Sequence, residues 1–398
     1  MSGRPGGGLS RDLNRQLARR LSRGLGGSPR GARKGGHLLA RYAHIGGAAV
    51  GVLVAGAAAG VFAERKIAAR GRGAGPEPLG SIRGQVRPVV ADDGVRLYAE
   101  VDQVRSEDGV DQAARPAFVF VHAYALNLDS WHFQRQALRG QYGMVLYDQR
   151  SHGRSSRSVK ARCTIDQLGK DLAAVIDALV PDGPVVLVGH SMGAMTVMAL
   201  AEQRPEWFGP RVVGVGLIST SAGGLLASTL GLPGMPGRVV HRVSPAVVAT
   251  MARAPRLVER GRRAGADLGF AVTRRLSFGS MEVPPEYVDF TDEMLASTPI
   301  DVVADFFPGF DDHDKHAALE VLSGIPTVII GGGRDAITPV EHSRRLAETV
   351  PTAEFVELAE AGHMVLLECH GEVSAALRRL AERAEKRGVP LRTRGLPL

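Results

Sequence analysis

The stretch Val185-Val186-Leu187-Val188-Gly189-His190-Ser191-Met192-Gly193 constrains this chain more than any other. A continuous aliphatic run of this length suits a strand buried on both faces, as in the middle of a parallel sheet. A helical pattern, Met192–Gln203, follows at once. Between them the backbone must turn from strand to helix inside Gly-x-Ser-x-Gly. Glycine on either side of the serine removes the Cβ atoms that so tight a turn would bring into collision. The turn exposes Ser191 and points the next helix's free N–H groups at it. Gly-x-Ser-x-Gly alone is a weak signal; placed between a strand and a helix it is strong.

The rest of the main body repeats the same alternation. Expected strands are Val86–Ala91, Val95–Val101, Ala117–His122, Met144–Asp148, Val185–Gly189, Val212–Ile218, Thr327–Gly331 and Glu354–Leu358. Asp92-Asp93-Gly94 suits a hairpin turn between the first two. Helical patterns such as Ile165–Leu179 and Val340–Thr349 fall between the later ones, which gives an α/β fold with an eight-stranded, mostly parallel sheet. Residues 222–314 interrupt the alternation after the sixth strand and read as a helical lid. In such sheets ligands bind beyond the carboxyl ends of strands.

A serine hydroxyl needs a base to take its proton, and the base needs an acid to orient it. Asp335 follows the seventh strand in Gly332-Gly333-Arg334-Asp335-Ala336-Ile337-Thr338-Pro339, and His363 follows the last in Ala361-Gly362-His363-Met364. Serine, acid and histidine thus come in the chain order this layout requires, each just past a strand. A tetrahedral intermediate also needs two backbone donors. One is expected from Met192 and the other from Tyr124 or Ala123, in the loop after the third strand. Trp131 is expected to pack under that loop, with His122 and His152 shaping loops and not acting as bases.

With these residues in place, the chain resembles the α/β-hydrolase superfamily, in its lipase/esterase and haloperoxidase-like branch, over about residues 82–385. The family's His-Gly after strand three appears as His122-Ala123. Its Asp-x-Arg-Gly-His-Gly-x-Ser appears as Asp148-Gln149-Arg150-Ser151-His152-Gly153-Arg154-Ser155, so Ala123 and Ser151 stand where glycines are usual. The resemblance implies a serine hydrolase acting on a carboxylic ester, with no cofactor and no metal. Thioesterase, carbon–carbon hydrolase, aminopeptidase and perhydrolase chemistry share the scaffold, as would a catalytically silent binding protein.

The 398 residues carry 49 Lys+Arg and 41 Asp+Glu, a net +8, but unevenly. Residues 1–72 hold 14 of the bases and two of the acids, so this leader is +12 and the remainder −4. A nucleic-acid-binding body is therefore excluded as the reading. Residues 1–44 have too few large apolar side chains to offset ordering entropy. Residues 45–63 carry no charge and are read as a single transmembrane helix. Basic residues on the amino-terminal side then orient the catalytic domain extracytoplasmically and favour contact with membrane lipids. Residues 64–84 read as a linker and 85–390 as the catalytic domain, whose expected partner is a small-molecule ester, lipid-like in character. Cys163 and Cys369 are read as two thiols; no feature specifies an oligomeric state. Asp311–His316 and the arginines Arg262, Arg263, Arg274 and Arg275 read as solvated.

Overall fold

A computed structural model describes residues 77–104, 115–225 and 266–388. The leader 1–44, the proposed transmembrane segment 45–63, most of the linker and residues 226–265 of the expected lid lie outside the described residues. Among the described residues, no helix is long and apolar enough to cross a membrane.

The strands are β1 (Gln85–Val86), β2 (Val89–Val90), β3 (Arg96–Leu97), β4 (Ala99–Asp102), β5 (Ala117–Val121), β6 (Met144–Tyr147), β7 (Val185–His190), β8 (Val212–Ile218), β9 (Thr327–Gly332) and β10 (Glu354–Leu358). Eight of them form one sheet in the order β1-β4-β6-β5-β7-β8-β9-β10. From β6 to β10 every pairing is parallel, and β4 alone runs against the rest, antiparallel to both its neighbours β1 and β6. The six buried positions of β7 and seven of β8 explain their unbroken aliphatic runs.

The two amino-terminal strands differ from expectation. Each divides in two. Pro88, which has no N–H to give a ladder, separates β1 from β2. Tyr98 separates β3 from β4: its N–H goes to the Ser155 hydroxyl at 2.8 Å. The Asp92-Asp93-Gly94 turn does close a hairpin, β2 with β3, as a separate two-stranded ladder. Residues 77–84 are also not a free linker. Ile82 is buried, and the Gly84 N–H donates to Glu100 at 2.9 Å.

Helices cover both faces of the sheet. On one lie α1 (His132–Leu138) and the long carboxyl-terminal helix His370–Gly388, which brings Val373, Leu377 and Leu380 against Phe118, Phe120, Val186 and Val188. On the other lie α2 (Ile165–Leu179) and α3 (Met192–Gln203), with Leu168, Leu172, Met195 and Met198 against Val119, Leu187 and Val215. Thr164 starts α2 by accepting the N–H of Gln167 at 3.2 Å, an N-cap of the usual kind. Among the described residues, four α-helices fall between β8 and β9: α4 (Ala266–Ser277), α5 (Pro285–Ser297), α6 (Ile300–Phe306) and the single turn α7 (Leu319–Leu322). Phe270, Phe278, Val288 and Met294 of this segment form one apolar cluster with Ala123, Leu126, Met364 and Leu367. The helical segment thus rests on the loops that follow β5 and β10.

Two groups expected to be solvated are enclosed. His313 and Lys315 are buried, not solvated. His313 Nε2 meets the Ser221 carbonyl oxygen at 2.9 Å, and the Lys315 ammonium pairs with Asp166 at 2.8 Å and with Glu202. Arg274 is buried as well, because α4 turns that side inward.

Candidate active site

Ser191 occupies the turn between β7 and α3 with φ 52° and ψ −115°. A left-handed φ is costly for a residue with a Cβ, and such strain gathers at functional sites. The flanking glycines show what holds it. A Cβ on Gly193 would stand 2.0 Å from the Val121 carbonyl oxygen, and one on Gly189 would stand 2.4 Å from the Ala194 nitrogen. The Ser191 N–H is fixed to the Ile218 oxygen at 2.9 Å, and its own carbonyl accepts from Ala194 and Met195 at 3.0 and 3.1 Å. The Thr220 hydroxyl adds a third tie to that carbonyl at 2.9 Å.

Asp335 and His363 meet directly. Nδ1 of His363 lies 2.8 Å from Oδ2 of Asp335. The carboxylate is otherwise fully engaged. Oδ1 accepts the N–H groups of Ile337 and Thr338, both at 2.8 Å, and Oδ2 also accepts the Thr338 hydroxyl at 2.7 Å. Burial alone would raise this acid. The adjoining His363 imidazole and the donors from Thr338 together outweigh burial, so Asp335 is held below the usual carboxylate range. Ser191, Asp335 and His363 are all nearly enclosed, at 7%, 6% and 5% exposure.

The loop after β5 carries Ala123 and Tyr124 beside the elbow, since Gly193 packs on the Val121 and His122 carbonyl oxygens. Among the described residues, the backbone N–H groups of Met192, Ala123 and Tyr124 donate no hydrogen bond. His122 is locked. Its Nδ1 meets the Ala123 oxygen at 2.7 Å, and its Nε2 accepts the Gln149 N–H at 2.9 Å. Burial lowers it to about 3, so it is neutral. Trp131 is fully buried under the loop, 5.0 Å from Phe120 and 6.4 Å from His190 between ring centroids. His190 Nε2 meets the His363 carbonyl oxygen at 2.9 Å. The two non-glycines replacing usual glycines behave differently. Ser151 takes φ 66°, whereas in the β5 loop the left-handed residue is Ala125, at φ 58°.

Two further residues escaped the sequence reading. Thr338 sits three positions after Asp335, a spacing that marks a side-chain-stabilised turn. Glu368 joins the histidine loop to the helical segment by accepting the N–H groups of Gly362 and Gly279, each at 2.8 Å. Burial outweighs those donors and raises its carboxyl. The chain there is tightly crossed, because a Cβ on Gly362 would stand 2.4 Å from the Gly279 nitrogen. Among the described residues, no group of three His, Cys, Asp or Glu side chains is placed to hold a metal ion. A cavity of about 350 Å³ opens at the sheet edge by Arg83, Gln85, Gln103 and Arg139, and none of the residues above lines it.

Residues 116–368 match the model of the alpha/beta hydrolase fold family, and the chain belongs to that family. It is 30% identical over 254 residues to 3-oxoadipate enol-lactonase 2 of Acinetobacter baylyi, covering 64% of this chain and 84% of that protein. It is 27% identical over 256 residues to the dihydrolipoyllysine-residue acetyltransferase component of the acetoin cleaving system of Pseudomonas putida. That match covers 64% of this chain and 60% of the relative. Among solved structures, the enol-lactonase from Burkholderia xenovorans superposes with a TM-score of 0.59 at 23% identity, over 74% of this chain and all (100%) of that one. A thermophilic esterase from Thermogutta terrifontis gives 0.56 at 23% identity, over 76% of this chain and 100% of its own. These two likenesses are likenesses of fold.

Proposed function

We propose that this chain is a serine hydrolase that cleaves a carboxylic ester or lactone through an acyl-enzyme. The observation that carries the reading is the Asp335–His363 hydrogen bond at 2.8 Å, in a chain whose Ser191 sits on a strained elbow. With Nδ1–H donating to Asp335, the imidazole keeps its lone pair on Nε2. Nε2 takes the Ser191 proton as Oγ attacks the substrate carbonyl. The resulting oxyanion is held by the N–H of Met192 and that of Ala123 or Tyr124. His363 returns the proton to the leaving alcohol, and water then repeats the sequence to release the acid. The apolar cluster that α4 and α5 form with Ala123 and Met364 favours an apolar acyl group and gives these helices the role of a lid.

A fluorophosphonate probe tests this on the purified full chain. Ser191 should be labelled, and a p-nitrophenyl ester series with an amide and a thioester included should show ester preference. Labelling that survives Ser191→Ala would refute the reading.

A further inference from the structure

The loop that would hold the oxyanion is closed by the Leu126 N–H on the Ala123 carbonyl oxygen at 3.2 Å, and it is also tied to the helical segment above it. Ala125 stands in the left-handed region at φ 58°, where a side chain is disfavoured and glycine is the usual occupant. Its carbonyl oxygen accepts the hydroxyl of Thr298 at 2.9 Å, in a buried contact. Thr298 lies where α5 ends and α6 begins, and is itself 1% exposed. The same short loop is held a second time by that segment. The Tyr124 phenol donates to the Val303 carbonyl oxygen in α6, and its ring packs edge-on against Phe310 at 4.9 Å.

We infer that Thr298 is a positioning residue: its hydroxyl holds Ala125 in the left-handed conformation and so aims the Ala123–Tyr124 N–H groups at the reacting carbonyl oxygen. The inference rests on the proposed acyl-enzyme chemistry. It assigns to the helices between β8 and β9 a share in transition-state stabilisation, beyond covering the site. The Thr298 contact acts on the loop and not on the substrate, so its loss should appear in kcat with KM little changed.

The experiment is hydrolysis of p-nitrophenyl butyrate by the full chain. Removing one oxyanion donor outright costs about 10²–10³ in kcat, and mis-aiming one should cost about tenfold. Thr298→Val is therefore expected to lower kcat about tenfold with KM within about twofold, and Thr298→Ser to restore it. In an Ala125→Gly background, where the left-handed turn needs no help, the same Thr298→Val change should cost less than about threefold. Thr298→Ala carries the same expectation and serves if the valine variant fails to fold. An unchanged kcat in the folded variants, or an equal loss in both backgrounds, overturns the inference while Ser191-dependent turnover leaves the enzyme reading standing. Turnover that does not depend on Ser191 overturns the reading, and this inference with it.

Discussion

Oδ2 of Asp335 stands 2.8 Å from Nδ1 of His363, and both side chains are almost sealed from water. Replacing the acid by its amide keeps the shape and reverses the hydrogen-bond logic, since an amide nitrogen at that place favours the wrong imidazole tautomer. Asp335→Asn is expected to lower kcat by about 10⁴ with a folded protein, measured by steady-state ester hydrolysis. A loss below tenfold would remove Asp335 from the proposed role.

Thr338 shares that same carboxylate oxygen at 2.7 Å and lies 3.2 Å from the imidazole nitrogen. A hydrogen bond to a charged group contributes about 1.5–3 kcal/mol, so Thr338→Val should lower kcat about tenfold. Thr338→Ser should keep wild-type turnover. If serine and valine behave alike, the hydroxyl is not what positions Asp335.

Gly193 leaves no room for a methyl group, with the Val121 carbonyl oxygen 2.0 Å from where the Cβ would be. That neighbour is backbone of the central strand β5 and cannot yield cheaply. Gly193→Ala should cost about 3 kcal/mol in urea unfolding and abolish fluorophosphonate labelling. A variant as stable as the parent would contradict the geometry of the turn.

Arg150 is fully buried, with its guanidinium on Asp171 at 2.6 Å and on Asp93 at 2.8 Å. It ties the hairpin turn to α2. Removing it leaves Asp171 as an uncompensated buried charge, so Arg150→Ala should lose about 3–5 kcal/mol. Chemical denaturation is the check, and a loss under 1 kcal/mol would go against it.

Acid should weaken the fold early. Burial lowers His122, His152 and His190 from 6.5 to about 3, about 4 and about 3. The folded chain therefore binds fewer protons at these sites than the unfolded chain does below pH 6.5. Their contribution is complete above that value and is lost as pH falls towards their folded values. Asp148 works the other way. Burial raises it from 3.8 to about 6, so it gains stability over that window as pH falls; Asp171 and Glu368 are raised too, while His132, His313, His342 and His370 are lowered and add to the three histidines. Each histidine contributes up to about 1.4 kcal/mol per pH unit, and the urea midpoint should fall between pH 7 and 5. A flat midpoint over that range would refute the buried neutral histidines.

Much of this architecture was legible in local patterns. The parallel strands show as aliphatic runs, and the elbow as two glycines around a serine. The acid and the histidine show as polar residues just past strand ends. What local pattern could not give is contact across long stretches of chain. Thr298 and Ala125 are separated by 173 positions, and Tyr124 and Val303 by 179. Neither residue type nor spacing announces such pairs, because a threonine at a helix end has many possible acceptors. The splitting of the first strands is intermediate. Pro88 was visible, but Tyr98 breaks its strand through Ser155, 57 positions away.

The crossing of Gly279 and Gly362 bears on how such a protein can diverge. Exposed positions between β8 and β9, such as Val272 and Met281, can exchange side chains at little cost in stability. At residue 279 that freedom stops. A side chain there would run into the Glu360 carbonyl oxygen at 2.2 Å and push on the loop that carries His363. The two glycines act as a shared pin between that segment and the loop carrying His363: neither can take a side chain without displacing the other strand of the crossing.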